Sequence, residues 1–223
     1  MLRSLFTGLS ALTLAQTAAA GIVVSSYSMM DGAPLHGAYY DNLYNGNHGP
    51  DGWLSGGTGD LTDGVTSASV VAGYGAWAPY VMWDGQSPVI LFDLGESYRL
   101  SRITSYFKYY AQAAVYMPGA MSLRFSSDGL HFGSSQLRTL SAAERLPGAD
   151  NSDGVFELLN GSQAAGRYVE LSLHNGPEQR WLALGEVVFE GSPGGPVQGV
   201  PEPGSAALAL LALLGLGLQR RRA

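Results

Sequence analysis

Trp53, Tyr74, Trp77 and Tyr80 fall in glycine-rich stretches, and Tyr116 stands just before Pro118. Aromatic rings on loops suit one chemistry above others: stacking against the apolar face of a sugar, with nearby polar side chains fixing hydroxyls. The competing reading is that the same rings fold back over the end of the domain as packing. Covalent chemistry has little to work with. The four histidines, His36, His48, His131 and His174, are scattered, with no H-E-x-x-H pair and no G-x-S-x-G elbow. Gly73-Tyr74-Gly75-Ala76-Trp77-Ala78 fits a dinucleotide loop only superficially, because no βαβ pattern surrounds it. Asp150 and Asp153 sit in an Asn/Ser/Gly setting and read as a solvated turn. Asn160-Gly161-Ser162 fits a glycosylation sequon and reads as an ordinary turn. The sequence therefore predicts a protein that is not an enzyme.

The elements that must position these residues are short and extended. Ile22 to Tyr27 predicts a first strand, and Asp31 to Asp63 a long loop-rich region carrying Asp-Gly, Asn-Gly and Gly-Gly steps that favour turns. Val65 to Ala72 can pair as a strand. Val89-Ile90-Leu91-Phe92 is a short apolar strand closed by Asp93-Leu94-Gly95, and Leu100 to Tyr110 is long and aromatic-rich. Met121, Leu123 and Phe125 alternate with Ser122, Arg124 and Ser126, the period of a half-buried strand. Val155 to Leu159 is short; Val169, Leu171 and Leu173, and then Val187 and Phe189, again follow a period of two. Gln136 to Arg145 has room for a turn or two of helix. About eight strands without a helical layer imply an all-β sandwich.

Both termini differ from this body. Residues 1–20 read as a secretory signal peptide: Arg3 is the positive start, Leu5 to Leu14 the apolar run, and Ala18-Ala19-Ala20 the cleavage site, leaving Gly21 as the mature start. Residues 192–199, rich in Gly and Pro, read as a linker. At the other end Pro201-Glu202-Pro203 is followed by the 14-residue apolar segment Ser205 to Leu218 and by Arg220, Arg221 and Arg222. As a helix that segment would be about 21 Å long, short of the roughly 30 Å bilayer core, and the arginines would anchor it on the cytoplasmic side. This tripartite tail, residues 200–223, resembles the PEP-CTERM sorting signal. The resemblance implies an exosortase as processing partner, transient membrane anchorage, and export to the cell surface or the extracellular polysaccharide matrix.

The chain has no cysteine, so an exported form must be held by its own hydrophobic core. Of 12 basic and 18 acidic residues, four are Arg3, Arg220, Arg221 and Arg222; without them 8 basic face 18 acidic, a net of −10. That balance excludes nucleic acid as an expected partner.

Within residues 21–191 a series of motifs runs in order. It comprises Leu61-Thr62-Asp63-Gly64; Trp83; Ile90-Leu91-Phe92-Asp93-Leu94-Gly95; Pro118 with Leu123-Arg124-Phe125-Ser126-Ser127-Asp128-Gly129; Gly166-Arg167-Tyr168-Val169; and Gly185-Glu186-Val187. The series resembles the discoidin, or coagulation-factor C-type, domain, which implies a galactose-binding-like jelly-roll β-sandwich. Trp83 and Trp181, at strand edges in motif positions, are then expected in the core. The resemblance also implies a structural calcium ion, because Asp63 and Glu186 occupy the positions that hold one in this fold, with Asp60 and Asp41 nearby in sequence. A glycine-rich acidic loop offers the oxygen ligands calcium requires. The alternative is that Asp63 makes an Asx-turn and Glu186 caps a loop.

Overall fold

The computed structural model describes residues 20–32, 39–67, 79–178 and 180–194. Ten strands account for almost all regular structure: β1 (Ala20–Ile22), β2 (Ser26–Met30), β3 (Asn47–His48), β4 (Trp53–Gly57), β5 (Val81–Asp84), β6 (Val89–Tyr109), β7 (Ala120–Ser126), β8 (Gln136–Thr139), β9 (Ser152–His174) and β10 (Trp181–Pro193). One helical turn, α1 (Ala142–Arg145), starts at a capping box in which Ser141 and Glu144 satisfy each other's backbone amides. Among the described residues no helix is long and apolar enough to cross a membrane. Residues 1–19 of the expected signal peptide, Ser205 to Leu218 and the sorting residues lie outside the described residues, whereas Ala20, its expected last residue, opens β1 opposite Gly191.

All strand pairs are antiparallel, and hydrogen bonding links them in the order β3-β4-β2-β6-β9-β7-β8, with β10 joining β6 to β1 and β5. Two long strands turn this ladder into two layers. The first part of β6, up to Asp93, pairs with β2 and with the end of β9; the part from Tyr98 onward pairs with β10 and the start of β9. Between them the register breaks, and Gly95 takes φ +81°, a left-handed conformation that side chains disfavour. Arg167 clamps the bend with two hydrogen bonds to the Asp93 carboxylate, at 2.7 and 2.8 Å. Phe92 of one layer then meets Phe189 of the other, ring centroids 5.1 Å apart, across the core. The result is the expected all-β sandwich.

Period-two alternation sorts the side chains as the sequence indicates: Met121 and Leu123, Leu171 and Leu173, and Val187 and Phe189 are buried. The layer containing β5 and β10 is buried on both faces. Val81, Trp83, Leu182 and Leu184 enter the main core, whereas Met82 and Ala183 join Tyr39, Tyr80 and Val115 in a second apolar cluster on the outside.

Several local expectations need correction. Asp31 to Asp63 is not only loop: it folds as the hairpin β3–β4 and a 3-10 turn at Asp60–Thr62. Gly49-Pro50-Asp51-Gly52 closes that hairpin, with Pro50 setting the turn and Gly52 at φ +79°. Val65 to Ser67 are irregular rather than strand, and residues 68–72 lie outside the described residues. Asn160 is in β9 opposite Arg102, so the sequon lies on a strand instead of a turn. The strand β10 continues through Pro193, pairing with Tyr98, so the first two residues of the expected linker belong to the sandwich.

Candidate functional site

At the end of the sandwich where β2 runs out, the β3–β4 hairpin and the loop after β5 enclose a cavity of about 560 Å³. Met30, Asp31, Tyr40, His48, Asp51 and Gln86 are among its lining residues, and the hairpin's Gly49, Pro50 and Gly52 form one wall. Trp53 pairs with Met30 across β2 and β4, and it is 47% exposed on the outward face beside that wall. The hairpin is closed by Gly49 N–H donating to the Trp53 carbonyl at 2.7 Å. Beneath it, Trp83 is fully buried and its indole N–H donates to the Met30 carbonyl at 3.0 Å, fixing the end of β2. The arrangement places an amide, a phenol, an imidazole and carboxylates around one concavity, with the partly exposed Trp53 on the neighbouring strand.

The five aromatics expected to form a stacking platform do not share one role. Trp53 is partly exposed next to the lining residues Gly52 and Leu54, and is not itself among the lining residues. Tyr80 is 1% exposed and belongs to the second apolar cluster, so its ring presents no free face; the glycine at 185 lets it pack against β10. Tyr116 is half-buried and packs edge-on against Tyr109 at 6.0 Å. Tyr74 and Trp77 lie outside the described residues. Trp181, expected in the core, is half-buried, its ring tilted by 51° against Tyr39 with centroids 4.7 Å apart.

The four carboxylates named for calcium divide into two groups. Asp63 and Glu186 come together: Glu186 accepts from the Gly64 amide at 3.0 Å, and the Asp63 carboxyl is its hydrogen-bonding neighbour. Burial, reinforced by the Asp63 charge, pushes Glu186 up to about 7. Asp63 also accepts from the Val65 amide at 2.8 Å, the Asx-turn of the alternative reading. Asp41 and Asp60 are spent on holding the chain. Asp41 accepts from the Asp60 amide at 2.8 Å and from the Tyr27 hydroxyl, while Asp60 accepts from the Asn42 amide at 2.9 Å. Burial chiefly pushes Asp41 up to about 6 and raises Asp60, and it drives the Tyr27 phenol well above its ordinary range. Among the described residues no three acidic or imidazole side chains converge as a metal site would require. A calcium ion here would therefore rest on Asp63, Glu186 and backbone carbonyls, a donor set of the type calcium accepts.

A buried ion pair is absent from the sequence reading altogether. Lys108, the only lysine of the chain, is 2% exposed on the outer face of β6, and its Nζ lies 2.7 Å from Asp153 Oδ1. Ser67 and Tyr80 donate to the same carboxylate at 2.6 and 3.3 Å. Burial alone would raise Asp153, but the lysine and these donors outweigh it and hold the carboxyl below its usual range. Asp153 is thus no solvated turn residue; Asp150, its supposed companion, accepts from the Ala111 amide. The only advance signal was a lone lysine embedded in an aromatic strand.

No protein-family model matches the sequence, and no curated protein does. Solved structures resemble it at low identity. A family 32 carbohydrate-binding module of Clostridium perfringens NanJ, in complex with galactose, is 10% identical, with 78% of this chain and 99% of that chain covered and a TM-score of 0.44. The C-terminal domain of a Bacteroides fragilis chitobiase is 13% identical over 79% of this chain and all of that one, also with a TM-score of 0.44. CpGH89CBM32-5 from Clostridium perfringens, in complex with GalNAc-β-1,3-galactose, is 14% identical over 73% and 92%, with a TM-score of 0.39.

Proposed function

We propose that this protein is an exported, non-catalytic carbohydrate-binding component of the cell surface or extracellular polysaccharide matrix, and that sugar is held at the hairpin-bounded cavity. One observation carries the reading: an exposed indole, Trp53, beside a concavity lined with Tyr40, His48, Asp51 and Gln86. A ring face for stacking next to a few directional polar groups is what sugar recognition requires. Export through the signal peptide, exosortase processing at Pro201-Glu202-Pro203 and transient anchorage by the following segment supply the route. Calcium, held by Asp63 and Glu186, stiffens the turn at Asp63 and Gly64.

The test is binding of the mature protein to an array of surface glycans, followed by titration calorimetry on any hit. Trp53→Ala is expected to weaken binding roughly tenfold with only a modest drop in melting temperature, because about half of the side chain is exposed. Equal affinity for the variant removes the site. Absence of binding across the array leaves a purely structural matrix protein.

A further inference from the structure

Resting on that carbohydrate reading, we propose that the cavity selects a sugar bearing a free amino group over its N-acetylated or neutral counterpart, and rejects uronic acids. Its charged lining is acidic: Asp31 and Asp51 contribute carboxylates, and no lysine or arginine is among the described lining residues. Asp31 is buried at the end of β2, and its Oδ1 accepts from the amides of Gly32 at 2.7 Å and Asp41 at 2.8 Å. Two backbone donors on one oxygen fix the orientation of the carboxyl group. Asp51 stands exposed at the tip of the hairpin turn.

Among the described residues, Lys108, Arg180 and His48 each have a partner of their own. Lys108 is sealed against Asp153 on the outer face of β6. Arg180, which adjoins the loop carrying Gln86, lies 3.3 Å from the Asp84 carboxylate. His48 Nε2 faces the Tyr44 carbonyl at 3.4 Å, and its ring stands edge-on to Tyr44. The two carboxylates therefore set the sign of the potential in the cavity. An ammonium group within a few ångströms of an exposed carboxylate gains roughly fivefold in affinity, and a uronate loses by a comparable factor. Gln86 lines the cavity for hydroxyls, and the apolar side of the sugar ring meets Met30.

The experiment titrates the mature chain with glucosamine oligomers, N-acetylglucosamine oligomers of the same length, neutral galacto-oligosaccharides and oligouronates, at mildly acidic pH, in low and in high salt. We expect the glucosamine series to bind about fivefold to tenfold more tightly than the acetylated one, a preference that shrinks in high salt as the charges are screened. Asp51→Asn is expected to reduce the preference to about twofold, read as the ratio of the two affinities in the variant. Equal affinity for the two series, tighter binding of a neutral or uronate oligomer, or a preference indifferent to salt overturns this selectivity and leaves the carbohydrate reading standing. No binding of any oligomer overturns both.

Discussion

Replacing Asp153 by Asn is expected to cost far more stability than replacing its partner, Lys108, by Met. The two side chains make one 2.7 Å ion pair, but Lys108 is 2% exposed and Asp153 is 33% exposed. Removing the carboxylate leaves an ammonium in a nearly dry site, with the Asn151 carbonyl and the face of Tyr80 as its remaining company. Breaking a fully buried pair in this way costs about 3–5 kcal/mol, and the partial exposure of Asp153 places the expected loss near the lower limit, about 3 kcal/mol. Removing the lysine leaves a carboxylate that water reaches and that Ser67 and Tyr80 still serve, while the methionine fills the apolar stem's place. That change should cost about 1 kcal/mol or less. The double variant should lie close to Lys108→Met, because once the cation is gone the amide at 153 strands nothing. The assay is urea unfolding of all four proteins, analysed as a double-mutant cycle. Because the Asp153 carboxyl is depressed, its contribution is present above the ordinary carboxylate range and is lost as pH falls through the folded value. The difference between wild type and Asp153→Asn should therefore shrink in acid. Equal losses for the two single variants, or a larger loss for Lys108→Met, would refute the reasoning from asymmetric burial.

Glu186→Gln keeps an acceptor for the Gly64 amide and removes a charge whose pKa is raised from 4.5 to about 7. A raised carboxyl contributes stability below its unfolded pKa and loses it as pH rises through the folded value, so in chelator the variant should exceed wild type by about 2–3 kcal/mol above neutrality and match it near pH 4. Added calcium should then stabilise wild type and leave Glu186→Gln unmoved; the same calcium shift in both proteins would dismiss Glu186 as a ligand. Tyr27→Phe withdraws the hydroxyl from buried Asp41, at an expected cost of about 1–3 kcal/mol, and should move the Asp41 titration above 6, as read by carboxyl NMR. Gly52→Ala places a side chain at φ +79° and should cost about 1–2 kcal/mol by denaturation, with weaker sugar binding because the hairpin walls the cavity. Intact mass of the mature protein should show a start at Gly21 and loss of the apolar segment after the Pro-Glu-Pro box; a full-length C-terminus contradicts the sorting route.

The dispersed motifs were legible as a series, but what each one does became visible only in contact. Asp93 and Arg167, from two different motifs, meet as the clamp on the bend in β6. Arg124 of a third makes two hydrogen bonds to Glu170, at 2.8 and 2.7 Å, across β7 and β9. Asp128 binds the amides of Leu130 and His131 and accepts from the Ser126 hydroxyl, closing the turn at Gly129. The cavity was partly legible: Trp53 was named for its glycine-rich setting, but Asp31, Tyr40, Asp51 and Gln86 were not, because each is an ordinary loop residue until β2, β4 and β5 are aligned. Tyr80 looked identical to Trp53 by the same criterion and ended inside the protein.

Composition and period-two patterning, both local, were enough to determine that this chain is an antiparallel β protein with Met121, Leu123, Val169, Leu171, Val187 and Phe189 inside. They were enough because a strand's alternation is written in consecutive residues. Which polar group meets which was decided by tertiary structure alone. Gly64 and Glu186 are 122 residues apart in the chain, and Lys108 and Asp153 are 45. Their encounters depend on strand register and on where the long strands bend. A slip of one residue would carry Lys108 or Glu186 to the opposite face of the sheet, so the charge environment of every candidate site is a property of the assembled layers.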